Sequence, residues 1–300
     1  MNILVTGGTG LIGSHIIEEL LADGAHRVCC LSRQGASRNR WGERIQMRTG
    51  DIADLASVER ATQGIDAVVH CVQFPNHPIE NPRRGWTYLA VDGHGTERMV
   101  DAARKNGVKR FVYLSGAGTS AEKPQPWFRA KVMAENAIRS SGMEYVILRP
   151  SWIYGPEDRS LNKFLLFAKV LPFVPIIGNG KTKVQPISVF DIARVAAKAV
   201  TSRQATNRIF ELGGPQALTM DEIIRTALKV AGKRRFLFHQ SAGFMKLLAS
   251  FLQYLPGRPL TPLAIDFIMM EEPVDSSEAE KVFGMKFVSL EEGLRRYLKS

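Results

Sequence analysis

The chain has 300 residues, 45% of them hydrophobic, which is enough for one large α/β domain and a smaller lobe, and it shows no repeat or low-complexity tract. Its net charge of +11 favours anionic partners, but the basic residues are scattered and form no nucleic-acid motif, so we expect no nucleic-acid partner. The first apolar segment lacks the features of a signal peptide, and Cys29, Cys30 and Cys71 lie in strand-like segments without metal-site spacing. We therefore expect a globular, cytoplasmic protein with reduced thiols and no metal site.

The N-terminal segment predicts a strand, a tight turn and a helix. Residues 3–5 form an apolar run like a buried strand, and apolar residues recur with helical period from Leu11 onward. Gly7, Gly10 and Gly13 lie between them: the first would permit the reversal, the second the approach of a pyrophosphate, and the third close packing of helix on strand. The free N–H groups of the helix start would face the phosphates. A merely structural turn is the alternative; for a dinucleotide site the candidate ligands are Thr6, Gly7, Thr9, Gly10, Leu11, Ile12 and Gly13.

The end of the second strand, predicted at residues 27–31, selects the dinucleotide. A site selective for NAD carries Asp or Glu there to hold the ribose 2′-hydroxyl, whereas this chain has Ser32 and Arg33, which would bind a 2′-phosphate. Arg38 and Arg40 add positive potential nearby, although a solvated basic loop would have the same composition. We therefore predict NADP(H) as the cofactor, with NAD(H) less favoured.

A weak third strand at residues 45–48 leads to two candidate adenine contacts. Asp51 would accept a hydrogen bond from the adenine amine, and Ile52 would lie beneath the ring. The alternative is a turn or capping acid, because a helix is predicted to begin near residue 55.

A fourth strand at residues 66–70 leads to Cys71 and Val72, which would cross the ribose and phosphates of the cofactor. The histidine that ends this strand, His70, is expected to be packed or hydrogen-bonded to the backbone rather than catalytic. The Pro- and Asn-rich loop at residues 74–84 is either a substrate-side flap or an uninvolved surface excursion.

Two further strand and helix pairs follow. A helix is predicted over residues 86–106, and a fifth strand at 110–115 ends in Ser115. The helix predicted over residues 127–140 carries Lys131. Because ligands sit at the carboxyl ends of strands in open α/β sheets, Ser115 is a candidate site residue.

The sixth strand, at residues 145–148, is followed by Pro150 and Ser151, two more candidate cofactor contacts. Strands that alternate with helices over the first 150 residues predict a doubly wound parallel Rossmann sheet. We therefore expect a dinucleotide-binding domain over residues 1–155 and a smaller α/β lobe for substrate or partner over residues 156–300.

The second lobe contains two segments that are expected to return to the sheet edge, at residues 184–188 and 208–212, with a helix at 190–201 between them. A later apolar stripe at helical spacing covers residues 244–255. Lobe core is the favoured interpretation of this stripe, and a surface helix that docks on a membrane or an apolar partner is the alternative. No apolar run is long enough to span a membrane, so any membrane association is expected to be peripheral.

These motifs together resemble the short-chain dehydrogenase/reductase superfamily in its extended and atypical branches, over nearly the whole chain. The residues that carry the resemblance are the turn from Thr6 to Gly13, Gly50-Asp51-Ile52, Leu114-Ser115, Lys131, Arg149-Pro150-Ser151, Tyr154-Gly155-Pro156 and residues 184–193. Residues 149–164, Gly178-Asn179-Gly180 and Gln185-Pro186-Ile187 are most similar to the group that contains the nucleotide-binding accessory subunit of respiratory complex I, and its bacterial homologues.

The resemblance implies a catalytic arrangement that this chain only partly contains. In active members, a tyrosine that lies four residues before the lysine exchanges the substrate proton. In this chain Trp127 occupies that position. An indole N–H donates a hydrogen bond but exchanges no proton near neutral pH. Ser115 and Lys131 remain as candidate catalytic residues, with Lys131 also a candidate for the cofactor ribose. Asp92 replaces the usual Asn of the proton relay.

Tyr113 and Tyr154 are possible substitute phenols, but neither obviously reaches the position of the missing tyrosine, and packing is the expected role of Tyr154. We therefore expect an NAD(P)-binding protein that is weakly active or non-catalytic, with a possible membrane or respiratory-complex contact. The alternative is an active NADP(H)-dependent oxidoreductase that acts on a small, partly apolar carbonyl or alcohol through Ser115 and Lys131.

Overall fold

Strands and helices alternate through most of the molecule. The computed structural model describes residues 1–255, 260–271 and 273–298, and the side chain of Arg38 lies outside the described part. Its strands are β1 (Asn2–Thr6), β2 (Arg27–Ser32), β3 (Ile45–Thr49), β4 (Ala67–His70), β5 (Arg110–Leu114), β6 (Glu144–Pro150), β7 (Ile153–Tyr154), β8 (Phe173–Ile177), β9 (Lys183–Val184), β10 (Ile187–Ser188), β11 (Arg208–Leu212), β12 (Leu218–Thr219) and β13 (Phe236–Gln240). Its α-helices are α1 (Leu11–Asp23), α2 (Leu55–Thr62), α3 (His94–Lys105), α4 (Pro126–Arg139), α5 (Leu161–Val170), α6 (Val189–Ala199), α7 (Met220–Val230), α8 (Ala242–Leu252), α9 (Pro262–Ile268), α10 (Ser277–Phe283) and α11 (Leu290–Arg295).

One parallel sheet of seven strands forms the centre, in the order β11-β6-β5-β4-β1-β2-β3. The order reverses between β1 and β4, which lie side by side with Thr6 opposite His70. In open α/β sheets, ligands bind at such a reversal, outside the carboxyl ends of the strands. The sheet confirms the predicted doubly wound Rossmann fold and places the glycine turn at its reversal point.

Apolar side chains cover both faces of this sheet, as the uninterrupted apolar runs of buried parallel strands require. On one face α1 and α6 pack against the strands, with Ile16 and Ile192 in the core. On the other face lie α2, α3 and α4, which bury Val58, Met99 and Ile138. The carboxyl edge between these layers is where the candidate residues gather.

The two segments expected to return to the sheet behave differently. β11 pairs with β6 at the edge of the central sheet. The expectation for residues 184–188 is wrong, because β9 pairs antiparallel with β12, and β10 pairs with β7, in two separate small sheets. Pro186 interrupts the run and has no N–H to donate to a strand ladder.

The helix expected over residues 86–106 is divided. Tyr88–Gly93 forms a π-helical turn that Thr87 caps by accepting a hydrogen bond from the Ala90 amide, and α3 begins at His94. The division falls at Gly93, whose ψ of −86° lies outside the α-helical range. Wide turns of this kind are frequent at functional sites, and this one carries Asp92.

The smaller C-terminal lobe has its own core, to which α5, α7, α11 and β8 contribute. Tyr154 belongs to this core, and its hydroxyl donates to the carbonyl of Ser289 at 3.3 Å, so it packs as expected. The favoured interpretation of the stripe at residues 244–255 as lobe core is wrong, because most of its apolar side chains are exposed on α8 and the turn after it. Helical periodicity identifies a face but does not say what covers that face.

Candidate functional site

The three glycines after β1 have distinct geometric roles. Gly7 has φ +71°, and a Cβ there would lie 2.7 Å from the carbonyl oxygen of Cys71. A Cβ on Gly13 would lie 2.4 Å from the carbonyl oxygen of Gly7, so α1 packs against the turn more closely than any side chain permits. Gly10 is exposed and begins α1 without a side-chain cap. The first amides of α1 therefore have no side-chain cap, and they form an open backbone cradle suited to a phosphate.

The other turn residues divide into exposed and buried groups. Thr9 is exposed, and Leu11 and Ile12 are half-buried at the start of α1. Thr6 is fully buried, and its hydroxyl hydrogen-bonds Nδ1 of His70 at 2.7 Å. Of the two threonines, only Thr9 has a hydroxyl that a ligand could reach.

Among the side chains that the structure describes, the end of β2 offers one exposed arginine without an ion-pair partner. Ser32 is buried, and its hydroxyl accepts a hydrogen bond from the Gln34 amide at 3.3 Å. Arg33 is exposed, and no ion pair holds its side chain to another described residue. Arg40 lies 3.8 Å from Glu18 and 4.0 Å from Glu157, so its charge is partly balanced. The electrostatic basis for choosing a 2′-phosphate therefore lies mainly in Arg33.

Asp51 and Ile52 follow β3 in a turn. Asp51 Oδ1 accepts a hydrogen bond from the Ala53 amide at 3.0 Å, which is the turn role considered as the alternative. Ile52 is buried, and a Cβ on Gly95 would lie 2.6 Å from its Cδ1 atom. Asp51 is half-buried and the more accessible of the two.

Cys71 and Val72 form the wall opposite the glycine turn. The Cys71 thiol donates to the carbonyl of Thr6 at 2.9 Å, and the Val72 Cα would lie 3.2 Å from a Cβ on Gly7. Burial raises the pKa of Cys71 to about 12, so the thiol stays protonated and is no nucleophile near neutral pH. The segment contributes shape rather than chemistry.

Pro150 and Ser151 close the far side of the edge. The carbonyl of Pro150 accepts from the Ala117 amide at 2.9 Å, and the Ser151 amide donates to the carbonyl of Leu212 at 2.8 Å. Ser151 is buried. Both residues tie β6 to its neighbours at the edge that faces the candidate site.

Lys131 is held in a buried ion pair. Its Nζ lies 3.2 Å from Oδ1 of Asp92, which the π-helical turn directs inward, and it donates to the carbonyl of Leu114 at 3.3 Å. Burial alone would lower the pKa of Lys131, but Tyr113 and Asp92 outweigh it and hold the pKa above its ordinary value. The lysine is therefore charged, with that charge already balanced by a carboxylate.

Trp127 is sealed inside an aromatic cluster. Its side chain is 5% exposed and packs against Tyr88 and Phe267, with ring centres 5.9 Å and 5.3 Å away. Its Nε1 has no hydrogen-bond partner among the described residues. Phe74 and His77, from the loop considered as a flap, pack into the same cluster. The place of the usual tyrosine is thus filled with aromatic rings.

Ser115 is tied to a buried charge network. Its hydroxyl donates to Oε1 of Glu135 at 2.6 Å, and Arg149 donates to both carboxylate oxygens of Glu135, at 2.9 Å and 2.6 Å. Arg149 also donates to Glu211 at 3.1 Å. The serine hydroxyl therefore already has a strong internal acceptor.

The remaining titratable groups at this edge are also occupied or buried. His70 is packed in the interior, as expected. Its ring bridges the hydroxyls of Thr6 and Thr96, and burial lowers its pKa to about 3, so it is neutral. Burial raises the pKa of Tyr113, whose ring centre is 5.2 Å from Lys131 Nζ. Within the described part of the chain, no group of three or more His, Cys, Asp or Glu side chains is placed to hold a metal ion.

Sequence reasoning missed two residues of this site. Glu135 lies one helical turn after Lys131, and an acid within the apolar stripe of α4 was a usable signal of a buried partner. Phe267 lies in α9, 140 residues after Trp127, and no local sequence pattern predicts so distant a contact.

Comparisons with known proteins identify relatives of the chain. The model of the NAD dependent epimerase/dehydratase family matches residues 3–213. The mitochondrial NADH dehydrogenase (ubiquinone) 1 alpha subcomplex subunit 9 of Arabidopsis thaliana is 28% identical over 223 residues, which cover 73% of this chain and 55% of that protein. The photosystem II assembly factor Ycf39 of Trieres chinensis is 27% identical, covering 78% of this chain and 70% of that protein. These matches confirm the predicted resemblance, although the chain spans only about half the length of the Arabidopsis protein.

Solved structures share the fold. UDP-glucuronic acid 4-epimerase from Bacillus cereus, in complex with UDP-glucuronic acid and NAD, superposes with a TM-score of 0.77 at 20% identity and covers 99% of both chains. The NADPH-dependent quinone oxidoreductase QOR2 from Escherichia coli, complexed with NADPH, has a TM-score of 0.75 at 21% identity and covers 99% of this chain and all of its own. One neighbour holds NAD and the other NADPH, so the fold alone does not choose between the two dinucleotides.

Proposed function

The chain belongs to the NAD-dependent epimerase/dehydratase family, and we propose that it binds NADP(H) without catalysing efficient hydride transfer. The main supporting observation is that the backbone cradle is open, whereas the side chains at the neighbouring catalytic positions are already paired or packed. Gly10 and the first amides of α1 have no side-chain cap, whereas Lys131 is paired with Asp92 at 3.2 Å. Binding and chemistry are thus separated within one edge of the sheet.

The proposed cofactor site lies in a dinucleotide-binding domain over residues 1–155, with residues 156–300 as the smaller lobe. The phosphates would lie on the turn, the 2′-phosphate beside Arg33 and the adenine beside Asp51. The full proposed set is Thr6, Gly7, Thr9, Gly10, Leu11, Ile12, Gly13, Ser32, Arg33, Asp51, Ile52, Cys71, Val72, Lys131, Pro150 and Ser151. The fit rests on Gly7 and Gly13, where a side chain would collide with the backbone of Cys71 and with the turn itself, respectively.

When bound, the nicotinamide cofactor supplies hydride chemistry, and the protein must supply a proton donor beside the substrate. Trp127 supplies no exchangeable proton near neutral pH. Ser115 holds Glu135, and Lys131 holds Asp92, so neither is free to orient a substrate or to assist a phenol. These contacts weigh against the alternative of an active oxidoreductase that uses Ser115 and Lys131.

Calorimetric titration with NADPH and NADH tests the cofactor proposal. We expect NADPH to bind more tightly, and Arg33→Asp to weaken NADPH binding by at least about tenfold through loss of a charge-assisted contact. Arg104→Asp, the same charge change at an exposed arginine on α3, should leave the ratio unchanged. If the ratio of NADPH affinity to NADH affinity is the same in the wild type and in Arg33→Asp, the basis for proposing NADP(H) over NAD(H) is lost. If neither dinucleotide binds, the proposal is overturned.

A second experiment separates the two functional hypotheses. We expect no oxidation of NADPH by the wild type with a panel of carbonyl compounds, and none by Trp127→Tyr alone, because Lys131 stays paired. Trp127→Tyr combined with Asp92→Asn, which restores two residue types usual among active relatives, should be required for any turnover. Turnover by the wild type would establish the alternative hypothesis instead.

We further propose that the bound dinucleotide stabilises the chain for a role in a larger assembly. Two relatives are named as a subunit of NADH dehydrogenase and as a photosystem II assembly factor. A ligand that binds only the folded state at 100 times its Kd adds about 2.7 kcal/mol of stability by mass action. We propose a cytoplasmic protein that contacts a respiratory complex or the surface of a membrane.

A further inference from the structure

Helix α8 presents its apolar face to solvent. Phe244, Leu247, Leu248 and Phe251 follow one another at helical spacing, and their exposed fractions are 61%, 61%, 39% and 67%. Exposed clusters of large apolar residues are uncommon in monomeric soluble proteins and mark interaction sites. This face is therefore a candidate docking surface.

The opposite side of α8 explains why the apolar side points outward. Ala249 is fully buried, and Lys246 forms an ion pair with Asp266 of the neighbouring helix α9. The helix is thus already anchored to the rest of the protein by its less apolar side. Tyr254 and Leu255, 83% and 51% exposed, extend the apolar surface beyond the helix end.

The chain segment that contains this helix carries charge of one sign. Residues 223–265 contain no Asp or Glu and seven Lys or Arg, so these 43 residues account for +7 of the net charge of +11. Lys233 and Arg234, shortly before α8, are exposed. The exposed apolar face therefore lies in the most basic part of the chain, and its complement is an apolar layer bordered by anionic groups.

We propose that α8 docks on the surface of a membrane rich in anionic phospholipids, with its axis in the plane of the interface. Phe244, Leu247 and Phe251 would enter the boundary of headgroups and acyl chains, and the surrounding basic residues would face the phosphates. No described helix is long and apolar enough to cross a membrane, which is consistent with an interfacial position. The proposal does not depend on the dinucleotide site.

The composition of the face favours lipid over protein. Apart from Tyr254, its exposed side chains have no hydrogen-bonding atoms, whereas protein interfaces carry about one hydrogen bond per 100–200 Å². Tyrosine at the end of an apolar stripe is typical of the membrane interface. Anionic phospholipid satisfies both the apolar and the charge requirement without shape complementarity.

Co-sedimentation of the full chain with phosphatidylcholine vesicles, with and without phosphatidylserine, tests this proposal. We expect binding only to the anionic vesicles, and a loss of at least about tenfold in affinity both for Phe244→Ser/Phe251→Ser and for Lys233→Glu/Arg234→Glu. Matched controls are Leu55→Ser, at a leucine 46% exposed on α2, and Arg104→Glu on α3, both of which should bind like the wild type.

Circular dichroism and the NADPH affinity of each variant establish that the fold and the dinucleotide site persist. Absence of binding to anionic vesicles, or undiminished binding by the Phe244→Ser/Phe251→Ser variant, would overturn the proposal. If sedimentation velocity instead shows a dimer that the same variant dissociates, the face belongs to a second copy of the chain and the membrane assignment is wrong.

Discussion

The glycine turn and the pocket around Trp127 lie at the same edge of the sheet but are built in opposite ways. The turn is formed by backbone, and its shape depends on the absence of side chains at Gly7 and Gly13. The pocket is filled by side chains, namely aromatic rings around Trp127 and two buried charge clusters. One region is open to a ligand, and the other is filled by the protein's own side chains.

This contrast indicates that binding and catalysis depend on separable features of the fold. A backbone cradle needs only the strand, the turn and the helix, so it persists when neighbouring side chains change. A proton-transfer site needs several side chains with matched pKa values, and replacement of one leaves the others to find new partners. Ser115 donates a hydrogen bond to Glu135, and Lys131 forms an ion pair with Asp92.

The largest expected effect comes from the charge cluster beneath Ser115. Glu135→Ala leaves Arg149 partly buried with only Glu211 as partner, and we expect a loss of about 3 kcal/mol of unfolding free energy. Urea unfolding of the wild type and the variant measures this difference in unfolding free energy. If the two regions are separable, NADPH affinity of the folded variant stays unchanged.

The control for that variant is Glu292→Ala, which breaks an exposed pair with Arg296 and should cost less than about 1 kcal/mol. Similar losses in both variants would mean that the buried cluster contributes no more than a surface pair.

A smaller loss of stability, but a loss of binding, is expected in the turn. A Cβ on Gly13 would lie 2.4 Å from the carbonyl oxygen of Gly7, so Gly13→Ala should cost about 1–3 kcal/mol and weaken NADPH binding by at least tenfold. Gly243→Ala, in a helical position where the nearest atom is 3.8 Å away, should be neutral or slightly stabilising. Normal NADPH affinity in Gly13→Ala would contradict the proposed role of the turn.

The effect that is smallest near neutral pH, and grows only on acidification, concerns His70, which joins the turn strand to α3 through Thr6 and Thr96. Burial lowers its pKa from 6.5 to about 3, so between these values the unfolded chain binds a proton that the folded chain does not. Stability should therefore fall as the pH falls below 6.5, by about 1.4 kcal/mol per pH unit from this group.

His70→Asn removes the titrating group, and its unfolding free energy should decline less steeply with acidification than that of the wild type. Denaturant unfolding at several pH values between 7 and 4 compares the two slopes. Parallel curves would show that His70 is not held neutral by its surroundings.

The sequence was sufficient for features set by local spacing. Three glycines between a strand and a helix predict the turn, and the Trp at position 127 is visible four residues before Lys131. It was insufficient where distant segments meet. The Asp92–Lys131 pair requires the π-helical turn, whose wide geometry the apolar pattern does not encode, and Phe267 reaches Trp127 from α9, 140 residues later in the chain.

The orientation of α8 illustrates a different limit. The stripe from Phe244 to Phe251 is equally suited to a core and to an interface, since both require one continuous apolar face. The acid-free charge pattern around it was present in the sequence and is the signal that favours the surface.

Trp127 also gives the protein an internal optical probe. Its indole is held among rings from three separate chain segments, including Phe267 of α9, on which α8 packs. A chain in which the other three tryptophans are replaced by phenylalanine would emit at short wavelength while the rings enclose the indole, and would shift to the red on hydration. The spectrum would thus report any displacement of α9, whether a dinucleotide or a lipid surface provoked it.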